Sequence, residues 1–202
     1  MAPKFAAALL LTTAMAVSVA ASDPSLLSDF FSANATKIDA NYFTFHGIRK
    51  ALSQNPPNFT ATKASLAQFP AKIGQSVSLA LLQFPAGSVN PPHTHPRAAE
   101  LLLLVKGRLE VGFVDTNNTL YSSRLEMGDS FLFPKGLVHF QFNSDADNSA
   151  VAVSGFGSAD AGTVAVPSAV FGSGIDDAAL ALSFRTDVAT VRKIRAALAP
   201  QT

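Results

Sequence analysis

The sequence predicts an all-β jelly-roll barrel with an extended N-terminal arm and C-terminal α-helices. Three observations carry that expectation. Seven short apolar or alternating segments follow one another from Val77 to Phe156, each bounded by Gly, Pro, Asn or Asp. After Pro167 the apolar spacing changes from a period of two to a helical one. The strands come without helices between them, which is the rhythm of an antiparallel barrel rather than of a parallel sheet.

Taken in order, the chain opens on a secretory leader over residues 1–22. Lys4 gives a short basic start, Phe5 to Val19 is apolar, and small residues follow at Ala20, Ala21 and Ser22. The apolar run falls short of the roughly 20 residues a membrane span needs, and no later stretch reaches that length. Residues 23–202, roughly 180 in number, suffice for one domain with a sizeable core. Gly47 to Pro70 is rich in Asn, Pro, Ser and Thr and reads as an extended arm with turns. The barrel is expected over about 72–166, with strands at Val77–Phe84, Glu100–Val105, Arg108–Val114, Thr119–Leu125, Ser130–Phe133, Leu137–Phe142 and Ala150–Phe156. Lys106-Gly107-Arg108 reads as a hairpin turn. Two helices are expected within about 175–199, one after the capping pair Asp176-Asp177 and one after Asp187, where Val188, Val191, Ile194 and Leu198 recur at helical spacing.

The chain carries 15 Lys and Arg against 14 Asp and Glu, and Lys4 leaves with the leader, so the mature chain is formally neutral. A nucleic-acid partner is not expected on that balance. There is no cysteine, which removes both a disulfide framework and any thiolate metal site. Three glycosylation sequons, at Asn34, Asn58 and Asn117, agree with secretion. Leu101 to Val105 is apolar on both faces, whereas a barrel strand needs only one apolar face, so the outer face is expected to be covered, either by the chain's own arm or helices or, as the favoured reading, by a second copy of the chain.

Three of the four histidines lie in two short segments. In a strand, residues two apart point to one face, so His93 and His95 can present both rings to one point. Glu100 follows at an odd separation, and Pro96 breaks the strand so that a new one can start with the carboxylate inward. In the second segment Pro134-Lys-Gly136 forms a tight turn into a strand whose His139, Gln141 and Asn143 share a face opposite Val138, Phe140 and Phe142. Imidazole and carboxylate together suit Mn, Fe, Zn, Ni or Cu, and ligand type alone does not choose among them. Asn90 reads equally as a hydrogen-bond partner for a bound anion and as a turn residue before Pro91-Pro92, Asn143 reads as structural, and Arg97, Lys106, Arg108 and Lys135 near the motif turns could steer a small anion inward.

These segments resemble the paired motifs of the germin-like proteins of the cupin superfamily. Gly87, His93, His95, Glu100 and Gly107 match the first motif, and Gly128, Pro134, Gly136, His139 and Asn143 the second. The resemblance implies a cupin barrel that binds manganese through His93, His95, Glu100 and His139. It also implies a hexamer built as a trimer of dimers, in the extracellular space, apoplast or cell wall. The activity it implies first is superoxide dismutation yielding hydrogen peroxide in defence or wall processes. The alternatives are oxalate oxidation, nucleotide-sugar phosphodiester cleavage, a non-enzymatic metal-dependent small-ligand receptor, or a cell-wall protein of the cupin class. Oxalate oxidation is expected to be absent or weak. Of the two asparagines that line the pocket in germins with that activity, one is matched by Asn90 and the other falls on Ala80. Many germins carry a disulfide near the N-terminus. This chain lacks it, so its N-terminal segment is expected to be held by packing of Phe30, Phe31, Phe43 and Phe45.

Overall fold

Strands that bury alternate residues must pair their apolar faces, and here they do so as two five-stranded antiparallel sheets. The computed structural model describes residues 28–30, 38–64, 66 and 69–199. The leader, Phe31 and Asn34 lie outside the described residues. The strands are β1 (Thr60–Lys63), β2 (Ser78–Phe84), β3 (Val89–Thr94), β4 (Glu100–Lys106), β5 (Arg108–Val114), β6 (Leu120–Glu126), β7 (Ser130–Phe133), β8 (Val138–Phe142), β9 (Ala150–Phe156) and β10 (Val164–Ala165). One sheet has the order β1-β2-β9-β4-β7 and the other β10-β3-β8-β5-β6.

The seven strands read from the sequence are β2 and β4 to β9, each within a residue of its expected bounds. Three more were hidden. β1 is a four-residue edge strand with a polar composition, β3 runs through Pro91-Pro92, and β10 is two residues long. Prolines are tolerated in β3 because its register shifts between Asn90 and His93, so the ladder is interrupted where they sit. The segment from Gly47 to Pro70 is not wholly extended, since it also forms a short helix α1 (Gly47–Leu52).

Lys106-Gly107-Arg108 is not a hairpin. β4 pairs with β7 and β9, whereas β5 pairs with β6 and β8, so the chain changes sheets at Gly107. The corner needs a glycine twice over. Its φ is +80°, and an added Cβ would lie 2.7 Å from the Ser149 carbonyl oxygen.

The C-terminal region holds three helices, α2 (Val166–Phe171), α3 (Asp177–Ser183) and α4 (Val188–Leu198). The extra one, α2, contains Pro167 in its first turn, where a missing N–H costs nothing. Asp176 caps α3 by accepting from the Ala178 and Ala179 amides, and Asp187 caps α4 by accepting from that of Thr190. Leu180, Ala181 and Val191 close this bundle. Among the described residues no helix is long and apolar enough to cross a membrane. At the N-terminus Phe30 meets Phe43 edge-on at 5.2 Å, and Phe45 stacks on Phe69.

The apolar core gathers Ala80, Leu82, Phe84, Leu102, Leu104, Leu109, Val111, Leu125, Phe133, Ala150 and Ala152 from both sheets. Inward positions along single strands change character with height. On β4 they read Glu100, Leu102, Leu104, and on β9 Ser154, Ala152, Ala150, all buried. One end of the barrel interior is therefore hydrocarbon and the other polar.

Candidate metal centre

The polar stripe of β8 faces inward. His139, Gln141 and Asn143 are fully buried, while Val138, Phe140 and Phe142 on the apolar stripe are exposed or half-buried. That inverts the usual sense of a half-buried strand, and the inversion has a local cause: the groups that His139 and Gln141 face are polar. Asn143 is structural, donating through Nδ2 to the carbonyls of Phe84, Pro85 and Asn148.

His93, His95, Glu100 and His139 come together at the polar end, with one ligand atom from each lying within 4.8 Å of all the others. Each is at most 4% exposed. Different devices deliver them. His93, the penultimate residue of the interrupted β3, lies opposite His139 of β8. His95 lies just beyond β3, before the bend at Pro96-Arg97, and Glu100 opens β4. The turn into β8 is closed by the Leu137 amide donating to the Pro134 carbonyl, with Gly136 at φ +79°. The fourth histidine, His46, is exposed and remote from the cluster, flanking α1.

All three rings are oriented by backbone carbonyls. Nδ1 of His93 bonds the Pro91 carbonyl at 2.8 Å, Nδ1 of His95 that of Gly162 at 2.5 Å, and Nδ1 of His139 that of Leu137 at 2.9 Å. A carbonyl can only accept, so each Nδ1 carries a proton and Nε2 is the atom each ring turns to the cluster, able to donate to a carboxylate when protonated and to ligate a metal when not. Nε2 of His95 and of His139 lie 3.0 and 3.2 Å from the same Glu100 Oε2. Two ring nitrogens and a carboxylate oxygen thus converge on one point, where a cation can accept a lone pair from each. The donor set therefore fits a metal ion, for which two or more imidazoles and a carboxylate are ordinary ligands.

The second Glu100 oxygen is held by the protein. Ser154 Oγ donates to Oε1 at 2.5 Å, and Gln141 Nε2 approaches it at 3.5 Å while its own Oε1 accepts from Asn90 Nδ2 at 2.6 Å. Burial pushes the Glu100 carboxyl up, but the contacts with His139, His95 and Ser154 outweigh it and bring it down to about 2. Burial, followed by the neighbouring His139 ring, pulls His93 down to about 4. At neutral pH the site thus offers an anionic carboxylate and an uncharged His93, the protonation states that ligation needs.

A cavity of about 130 Å³ opens on His93, His95 and Glu100, with Phe59, Ala61, Ala80, Leu82 and Phe156 as its apolar wall and Lys63, Asn90 and Thr163 as its other polar members. Ala80 and Asn90 thus line the same chamber. Of the four cations expected near the mouth, Lys106 and Arg108 sit at the opposite end of β4 from Glu100, where Lys106 bonds Ser149 and Arg108 pairs with Glu126. Arg97 is at the metal end but is paired with Asp160 at 2.7 Å. Lys135 is exposed in the turn before β8. Asn58 and Asn117 are exposed, the first before β1 and the second in the turn between β5 and β6. Ser154 is legible as an inward position of an alternating strand, whereas the Gly162 carbonyl, which carries no side-chain signal, is not.

Fold and donor set define a small double-sheet β-barrel with an internal site built for a metal. Comparison with known proteins gives the same class and narrows it. Residues 46–192 match the cupin family. The chain is 56% identical over 191 residues to germin-like protein 9-3 of Oryza sativa subsp. japonica, covering 90% of this chain and 89% of that one. It is 38% identical to germin-like protein subfamily 1 member 6 of Arabidopsis thaliana, covering 88% and 87%. Among solved structures, an oxalate oxidase in complex with the substrate analogue glycolate superposes with a TM-score of 0.78 at 30% identity, over 89% of this chain and all of that one. Peruvianin-I, a cysteine peptidase from Thevetia peruviana latex, superposes with a TM-score of 0.62 at 26% identity, over 71% and 98%. The chain belongs to the germin-like proteins of the cupin family. Having no cysteine, it cannot use a thiolate nucleophile.

Proposed function

We propose that this protein is a secreted manganese oxidoreductase that dismutates superoxide, taking two superoxide ions and two protons to one dioxygen and one hydrogen peroxide. The observation that carries the reading is the pairing of a complete His93, His95, Glu100 and His139 donor set with a chamber of only about 130 Å³, roughly four water volumes. A manganese ion held there supplies the one-electron couple that the reaction needs. The chain's own residues do the rest. Carbonyl-anchored rings keep Nε2 turned inward, Ser154 and Gln141 fix the carboxylate, and Phe59, Leu82 and Phe156 keep bulk water and large molecules out.

Size and polarity argue against the other enzymatic readings. A nucleotide sugar does not fit so small a chamber. An oxalate dianion would meet the Ala80 methyl where a donor is needed, and a buried anion lacking one partner typically loses about 1–3 kcal/mol or more. Oxalate oxidation is therefore expected to be absent or weak, although a solved oxalate oxidase shares the fold. A metal-dependent receptor for a small ligand is the reading of a different class, favoured by the buried and rigidly held site.

The apolar row of Leu79, Leu101 and Leu132, aligned across β2, β9, β4 and β7, supports assembly through this face. Leu101 is 55% exposed and Leu132 57%, and on the C-terminal helices Leu182 is 81% exposed. A homo-hexamer, built as a trimer of dimers, covers both surfaces. Residues 1–22 read as a cleaved signal peptide and residues 23–202 as a single domain acting in the apoplast or cell wall, glycosylated at Asn34, Asn58 and Asn117.

Elemental analysis of the secreted protein, with a superoxide dismutation assay before and after metal removal, tests the function. Stoichiometric manganese with activity that disappears and returns with the metal is expected. Stoichiometric zinc without activity selects the receptor. Light scattering tests assembly: a hexamer is expected from the native chain and smaller species from Leu101→Lys.

A further inference from the structure

The metal chamber is one of two adjoining cavities at the polar end of the barrel. A second cavity, of about 450 Å³, adjoins it and shares Lys63, His95, Phe156 and Thr163 as lining residues. These four side chains form the threshold between an outer vestibule and the inner chamber. Lys63 ends β1, and its Nζ donates to Thr163 Oγ1 at 2.7 Å across a sequence separation of 100 residues. Thr163 Oγ1 lies in turn 3.4 Å from His95 Nδ1. One edge of the threshold is thus an ammonium connected through one hydroxyl to a ring of the donor set.

The other polar groups lining the chamber are already committed. His93, His95 and Glu100 are donors to the site, and Asn90 is bonded to Gln141. Lys63 is paired with no carboxylate among the described residues, although its side chain is exposed enough to reach one. Among the described residues the vestibule's one lining carboxylate, Asp160, is neutralised by Arg97, so it does not offset Lys63. A cation without a counter-ion at the neck of a low-dielectric passage attracts anions into it.

We propose that the Lys63–Thr163 threshold is an anion-selecting subsite, which holds a small monoanion in the vestibule and passes it to the metal chamber. The proposal rests on the functional reading above in that superoxide is such a monoanion, but it is a statement about charge and size and covers any anion of two or three heavy atoms. Lys63 is a positioning and selecting residue. It touches the incoming anion, and its hydroxyl partner also fixes its ammonium over the opening.

Azide is the probe. Manganese-loaded protein is titrated with it by calorimetry at low and high ionic strength, about 10 mM and about 0.5 M. Lys63→Met is expected to weaken azide binding about tenfold at low salt, to remove most of the salt dependence, and to leave metal content unchanged. Lys63→Arg is expected to restore both affinity and salt dependence, whereas Thr163→Val should keep the salt dependence with weaker binding. A brace that merely ties β1 to residue 163 would instead change thermal stability and leave azide affinity alone, and that result overturns the proposal. Should Lys63→Met lose metal, the native protein decides by itself, because azide affinity that is flat across the salt range excludes a cationic subsite. Lys63-dependent azide binding in a protein that does not dismutate superoxide sinks the functional reading and leaves the subsite standing. Dismutation with Lys63-independent azide binding does the reverse.

Discussion

The two ends of the barrel interior are built from the same strands by opposite means. At one end Phe84, Leu104, Val111 and Ala152 pack as hydrocarbon, each at most 0% exposed, and need nothing but shape. At the other, four residues away along β4 and two along β9, Glu100 and Ser154 are also buried but are held by directed bonds, as are the three rings. The hydrocarbon end supplies the stability that the polar end spends, because four inward polar ligands contribute little to folding until a cation joins them.

The largest expected effect lies at the hydrocarbon end. Phe84→Ala removes a fully buried ring that packs against Phe59 at 4.8 Å, and it should cost about 3–5 kcal/mol of unfolding free energy by urea denaturation. If the two ends are separate, any protein that remains folded should still bind metal in full stoichiometry.

His139→Ala is the converse experiment. It removes one of four ligands and should weaken metal binding by more than about 100-fold, exceeding the loss typical of an outer partner. The metal-free barrel should stay folded by circular dichroism. Collapse of the apo fold would mean that the His139 ring, stacked 4.5 Å from Phe133, is core as much as ligand.

Acid sharpens the contrast, since only the polar end titrates. His93 falls from 6.5 in the unfolded chain to about 4 in the metal-free fold, so folding disfavours its proton. Its contribution to stability is complete above about pH 6.5 and is lost as pH falls toward 4, an amount of about 3 kcal/mol. Glu100, lowered from 4.5 to about 2, adds a second loss below about pH 4.5. Urea midpoints of the metal-free protein across this range should therefore decline in two stages, and His93→Gln should abolish the upper one.

The smallest effect is expected from Ser154→Ala, which leaves all four ligands but frees one Glu100 oxygen. Metal affinity should fall about 10–100-fold with no measurable change in fold. An unchanged affinity would show that Gln141 alone suffices to hold the carboxylate.

Much of this was legible in the residues. The barrel strands announced themselves by alternation and turn residues, the capped helices by Asp176 and Asp187, and the donor set by spacing around Pro96 and Pro134. Periodicity reports which residues share a face of one strand, and motif spacing reports which could meet; both are local properties of the chain. What tertiary structure alone decided is which face looks inward, which strands share a sheet, and what lies across from each ligand. Nothing in Lys106-Gly107-Arg108 distinguishes a hairpin from a corner between sheets, because the difference lies in the partners of β4 and β5. Nothing near His95 points to the Gly162 carbonyl, and nothing in β1 places Lys63 beside Thr163, since contacts across 67 and 100 residues depend on the packing of the whole barrel.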